Sequence, residues 1–220
     1  MDEIIVVDSE YQDAAHEYDN AAFKVPDASR YFTSTVLSIV NDQALAGQAA
    51  RNVASFIGEM NRALGSSFGE LTSLAAKLCT EYVEAIDEAD KELYGGGIPQ
   101  SYIDAPNTPY PAVLPFVNSS IQLNRAVMEK HISTLKSGPV KDIEDYLTRI
   151  GAVDFGESKG ATKDQSVIFK DSVLESLAAL KEIFDAFIRY LENVCKTLAD
   201  ADASLSGLLN RPALGPQPLK

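Results

Sequence analysis

Residues 41–64 read NDQALAGQAARNVASFIGEMNRAL, and one interruption in them decides the fold. Leu45-Ala46-Gly47 breaks an otherwise continuous helical pattern, and small residues follow at Ala50, Ala54 and Gly58. Glycine accepts a positive φ and close backbone approach, so Gly47 suits a tight turn between antiparallel helices. Steps of three and four place Gly47, Ala50, Ala54 and Gly58 on one side of the second helix, where a facing helix can pack closely. Leu45 then plugs the end of the hairpin, and Phe56 joins Ala50 and Ala54 in the packing beside it.

Upstream of the turn, Ser9-Glu10-Tyr11-Gln12 has the pattern of a capping box, which predicts a helix from about Glu10 to Ala22. Pro26 supplies no backbone donor and disfavours helical geometry at Val25, so a break or kink is expected there. Asp27 or Ser29 would cap a restart that carries Phe32, Val36 and Ile39 to about Asn41. Downstream, Ala49, Val53, Phe56, Met60 and Leu64 continue the second helix, and Gly65-Ser66-Ser67 suggests a break. Leu71, Leu74, Leu78, Tyr82, Ala85, Ala89 and Leu93 then repeat at helical spacing until Gly95-Gly96-Gly97. Residues 98–112 hold Pro99, Pro106, Pro109 and Pro111 and read as an extended connector.

The second half repeats the helical theme. Leu114, Val117, Ile121, Met128 and Leu135 recur in steps of three, four or seven, with Asn124 and His131 in the gaps. Gly138-Pro139 is expected to stop that helix; a short helical piece around Ile143–Ile150 and a glycine-rich loop follow. The longest pattern comes last. Val173, Leu177, Leu180, Phe184, Phe187, Leu191, Val194, Leu198, Ala201 and Leu205 alternate spacings of four and three, a heptad seam that must lie against other helices. The tail RPALGPQPLK, with three prolines in ten residues, reads as a linker or a disordered end.

These patterns predict an all-α, elongated helical bundle with no convincing strand. Within it, residues 1–94 form an antiparallel helical hairpin, 95–112 a Gly/Pro-rich connector, 113–205 a long-helix, coiled-coil-like half, and 206–220 a Pro-rich tail. A net charge of −13 sets low expectations for nucleic acid and for anionic lipid, since both repel such a surface. No run of about 18 apolar residues is present to span a bilayer. The start, MDEIIVVDSEYQ, is acidic with only four consecutive apolar residues, unlike a cleavable secretory signal. The chain therefore either stays in the cytoplasm or leaves by a route that needs no such signal.

The side chains that carry chemistry are sparse. His16 and His131 are the only histidines, and no His-Glu-x-x-His, Glu-x-x-His or paired-cysteine spacing occurs, so metal ligands are not expected. His131, on the seam, reads as a hydrogen-bonded core histidine and His16 as part of a solvated face. Cys79 and Cys195 both fall in apolar helical patterns and read as buried free thiols. No phosphate-cradling glycine loop and no nucleophile elbow is present. The sequence predicts no catalytic residue, no cofactor and no enzyme activity.

Leu45-Ala46-Gly47, followed by Gln48-Ala49-Ala50 and an amphipathic helix, resembles the Leu-x-Gly turn of the LXG domain. The acidic and apolar start, the roughly 35 helical residues before the turn, the long helices after it and the length near two hundred residues are similar too. LXG domains are the N-terminal export modules of type VII secretion toxins of Gram-positive bacteria, related to the small WXG helical hairpins. The resemblance implies a WXG-like hairpin and a non-catalytic targeting module. It implies small helical WXG-like partner proteins, with which the module forms an export-competent complex, and a secretion ATPase that receives it. It further implies a chain that is cytoplasmic before export and then secreted or held at the cell surface. Two features depart from the family pattern: Pro26 within a helix usually drawn as continuous, and an export signal of the Tyr/Phe-x-x-x-Asp/Glu type met only by Phe23 and Asp27, which flank that proline. No length remains after the seam for a toxin domain, so the chain reads as a module cut from a longer effector or as a stand-alone relative. The alternative is a cytosolic helical adaptor, chaperone or immunity protein that is not exported. A self-associating coiled-coil scaffold ranks below both.

The small-residue reading has a direct consequence. Ala54→Leu is expected to lower stability by roughly 1–3 kcal/mol if the site is buried, measured as a drop in Tm.

Overall fold

The computed structural model describes residues 3–64 and 122–209. It is an all-α bundle, as the periodicities predict. The chain runs through α1 (Asp8–Asn41), a two-residue strand β1 (Leu45–Ala46), α2 (Gln48–Leu64), a second short strand β2 (Gln122–Leu123), α3 (Arg125–Leu135), α4 (Lys141–Ala152) and α5 (Ala161–Leu209). The connector predicted at 95–112, the helical pattern of 71–93 and Cys79 lie outside the described residues.

α1 is one helix of 34 residues that passes straight through Pro26, where the sequence suggested a break. Its core face explains why. Tyr11, Ala14, Tyr18, Ala21, Val25, Phe32, Val36 and Ile39 form an unbroken buried stripe, and the packing along it outweighs one absent hydrogen bond. Between these apolar side chains, Ser29 Oγ donates to the Val25 carbonyl at 3.0 Å and Thr33 Oγ1 to that of Ser29 at 3.1 Å, so the buried hydroxyls are satisfied within the helix.

The start of α1 also differs from the capping box. Ser9 lies inside the helix, and the cap position is taken by Val7, which makes no side-chain capping bond. The end is fastened from a distance instead. The Val7 N–H donates to Ser158 Oγ at 3.1 Å, the Glu10 carboxylate accepts from the backbone N–H groups of Glu157 and Ser158 at 2.8 and 3.1 Å, and Ile5 pairs in an antiparallel bridge with Lys159. The loop before α5 thus clasps the first turn of α1.

Gly138-Pro139 does not end a helix either. α3 continues through a π-helical turn (Lys136–Val140) directly into α4. The wider turn accommodates Pro139, which has no N–H to give and whose ring would otherwise meet the carbonyl one turn back. Gly138 is needed for a second reason. A Cβ there would fall 2.7 Å from Cε1 of Tyr31, whose ring lies over the turn.

α5 is 49 residues long, about 74 Å at 1.5 Å per residue. Its seam is buried from Val173 through Leu177, Leu180, Phe184 and Phe187 to Leu191, half-buried at Val194 and Leu198, and exposed at Ala201. α5 packs against α3 and α4, and its aromatic side chains reach α1 and α2. Phe184 stacks on Phe32 and Phe187 on Phe56, each pair with ring centroids 3.9 Å apart. Tyr18 meets Phe169 edge to face at 5.7 Å, and Tyr11 meets Phe155 at 5.1 Å.

The contact between Gly138 and Tyr31 can be tested by itself. Gly138→Ala should cost about 1 kcal/mol, because the half-exposed tyrosine ring must swing aside. In a Tyr31→Ala background the same substitution should cost almost nothing, as read by a double-mutant cycle on denaturant midpoints.

Candidate functional site

The feature with the most specific geometry is the Leu-Ala-Gly turn. α1 closes with the Asp42 N–H donating to the Ser38 carbonyl at 2.8 Å and the Ala44 N–H to that of Ile39 at 3.0 Å. Gln43 and Gly47 then take positive φ values of 55° and 84°. That conformation disfavours side chains with a Cβ, so glycine at 47 sets the angle at which α2 departs. The Gly47 carbonyl accepts from the Arg51 N–H at 3.3 Å as the helix begins. Ala44, Leu45 and Ala46 are buried, Leu45 fully.

The turn is stitched to the second half of the chain. Leu45 and Ala46 pair antiparallel with Leu123 and Gln122, and the Asn124 N–H donates to the Ala44 carbonyl at 2.8 Å. The Asn124 side chain then caps α3, accepting from the Val127 N–H at 3.3 Å. So α3 begins at Arg125, and Asn124 is its cap where the heptad reading placed it inside a helix. One turn further along, His131 Nε2 lies 3.0 Å from Asp42 Oδ2. His131 is the bonded, mostly buried histidine expected, and its partner is the turn itself. The ladder was not foreseen. Asn124 ahead of the Arg-Ala-Val-Met run was the one signal for it, being a helix-start residue.

On α2, Ala50, Val53 and Ile57 are fully buried, while Ala54 and Phe56 are half-buried. The line of closest approach therefore runs through Ala50 and Val53, with Ala54 at its edge. Phe56 turns its ring onto Phe187 of α5. Leu45, Gly47, Ala50, Ala54 and Phe56 belong to one contiguous region in which the turn delivers α2 onto α1 and α5. Phe23 and Asp27 lie away from it, midway along α1. Phe23 is half-buried, and Asp27 is exposed and paired with Arg30. Both are in continuous helix despite Pro26.

Two other places hold titratable groups. A cleft of about 670 Å³ between α3 and α5 is lined by Arg125, Glu129, Lys136, Glu192 and Cys195 among others. Arg125 bonds to Glu129 at 2.7 Å and Lys136 to Glu192 at 2.6 Å, while Lys196 and Asp200 on the same lining have no ion pair among the described residues. Burial pushes the Cys195 thiol above its ordinary pKa, which keeps it a weakly nucleophilic thiol at neutral pH. Asp19, on α1, has one carboxylate oxygen buried with no hydrogen-bond partner among the described residues. Burial raises its pKa, with His16 acting weakly in the opposite sense. Among the described residues no three metal-ligating side chains come together, and no helix is long and apolar enough to cross a membrane.

No family model matches this chain, and neither a curated protein nor a solved structure matches it.

The geometry of the site makes two predictions. Leu45→Ala should cost about 2–5 kcal/mol through the cavity it leaves, and Gly47→Ala about 1–3 kcal/mol through backbone strain; both are measured by urea denaturation. For Asp19 the folded state disfavours the ionised form. Its penalty is absent below the ordinary carboxylate pKa, grows as pH rises above that value and is complete above the raised one. Asp19→Asn should therefore raise stability at pH 7 and flatten the loss of stability from pH 4 to 7, seen as a pH series of Tm values.

Proposed function

We propose that this chain is the targeting module of a type VII secretion substrate, a non-catalytic LXG-like domain that binds small helical partner proteins for export. The supporting observation is the turn. Leu45 is sealed inside, Gly47 holds a positive φ of 84°, and a long uninterrupted helix stands before it. Continuity of α1 through Pro26 supports the reading further, because that proline was the clearest departure from the family pattern. In a continuous helix Phe23 and Asp27 also stand one turn apart on one side.

Such a module acts through shape, by presenting helical surfaces to its partners and, with them, to the secretion ATPase.

Localisation in the native host tests the proposal. The chain should appear in the medium or at the cell surface when the type VII ATPase is intact, and stay inside when the ATPase gene is deleted. Retention inside the cell in both strains would overturn it in favour of a cytosolic adaptor, chaperone or immunity protein.

A further inference from the structure

α5 carries two stripes. The first, Val173 to Leu191, is the buried seam. The second lies beside it and faces out: Ile168, Ser172, Ser176, Ala179, Ile183 and Ala186 follow one another at steps of four, four, three, four and three, all exposed. Ile168 and Ile183 are 56% and 41% accessible, two of the four large apolar side chains that the described residues leave in water. In a chain of net charge −13 this line contains no charge over five turns. It ends at Tyr190, half-buried, whose ring lies 5.8 Å from Phe187 and so adjoins the aromatic contact that joins α5 to α2. The exposed face is thus continuous with an established helix–helix interface.

Its polar atoms are already satisfied. Ser172 Oγ donates to the Ile168 carbonyl at 3.1 Å and Ser176 Oγ to that of Ser172 at 2.9 Å. Both hydroxyls turn back onto their own helix, so the face can be dehydrated without stranding a donor. Small residues there let another backbone approach, and the two isoleucines and Tyr190 provide points of apolar grip. One flank is acidic. Asp164, Asp171, Glu175 and Glu182 recur at steps of seven, four and seven, all exposed; the two outer ones have counter-charges, Lys163 at 3.9 Å from Asp164 and Arg189 at 2.6 Å from Glu182, and the two middle ones do not. A second copy of this chain would set acid row against acid row or leave one row unmatched, at a net charge of −13 on each molecule, and is disfavoured.

We infer that this outer face of α5, from Ile168 to Tyr190, docks an amphipathic helix of a partner protein whose apolar seam is bordered by Lys or Arg side chains. The face is about 33 Å long, which a helix of about 22 residues matches. The basic border would lie along Asp171 and Glu175, neither of which has an ion pair among the described residues. The inference rests on the export-module reading in taking the partner to be helical, and it locates on this chain the surface such a partner needs.

The test places a photo-reactive phenylalanine at Ala179, with a control at exposed Thr148 of α4, in the full chain in its native host. Adducts are mapped to the residue by mass spectrometry. The expected result is an adduct from position 179 and none from 148. It should map to a helix-periodic segment flanked by Lys or Arg, and fall about tenfold when Ile183→Arg is added. Circular dichroism melting should be unchanged by that exposed substitution; if it is changed, Ala186→Arg replaces it. Absence of an adduct, an adduct to a second copy, or one to an acidic or non-helical segment would overturn the inference. Repeating the experiment in the ATPase-deleted strain separates the two ideas. An adduct that forms there while the chain is never exported by the intact strain sinks the export reading and keeps the docking face.

Discussion

Two stacked ring pairs hold the described structure together. Phe184 and Phe187 are one turn apart on α5, and they reach Phe32 on α1 and Phe56 on α2 respectively. The two arms of the hairpin are thereby locked to the distant α5 at one level of the bundle, each ring pair adding its stacking to the area it buries. Phe32 also meets Phe187 edge to face at 6.1 Å, so the four rings form one cluster. The cluster can exist only if α2 leaves the turn at the angle that brings Phe56 over α5. That angle is set by Gly47 and held by the ladder to residues 122–123. The turn and the aromatic cluster therefore depend on each other.

The same economy appears at the other end of α1. A helix start with no side-chain cap is completed by the loop that leads into α5, through Ser158 and the Glu10 carboxylate. Both ends of α1 are thus fastened by segments more than 75 residues away in sequence, Asn124 at one end and Glu157 to Lys159 at the other. Long-range backbone hydrogen bonds of this kind fix the register of helices whose apolar stripes alone would tolerate sliding by a turn.

What was legible in the sequence followed from periodicity. The all-α class and the buried seam of α5 up to Leu191 rest on apolar spacing summed over many residues, and such sums are hard to overturn; the turn at Leu45-Ala46-Gly47 was marked by its glycine. The misreadings fell on local signals weighed against tertiary packing. Pro26 carries a helix-breaking signal, yet the buried stripe on either side carries the helix through it. Gly138-Pro139 looked like a stop because a π turn leaves no mark in apolar spacing, and the glycine answers to a tyrosine 107 positions away. Ser9 looked like a cap because a capping box is defined within four residues, whereas the cap in use comes from another part of the chain. The two-residue ladder was invisible for a simpler reason: strands so short have no period. At the candidate site the type of turn was readable, and its second partner was not.

Burial also constrains how the turn can matter. Leu45 is inaccessible and Gly47 offers no side chain, so neither can be read directly by another protein. Their contribution must be geometric: they set where α2 meets α1 and α5, and so which side chains remain outside. The outer face of α5 shows what such placement leaves over. Its seam is consumed by the intramolecular core, while the neighbouring line of Ile168, Ala179 and Ile183 stays in water because no described helix reaches it. An exposed isoleucine is unremarkable alone. Two of them, on a five-turn line without charge whose serines have already spent their donors on the backbone, make a surface that loses little by being covered. The buried turn thus acts at a distance, by fixing the scaffold on which the exposed surface is displayed.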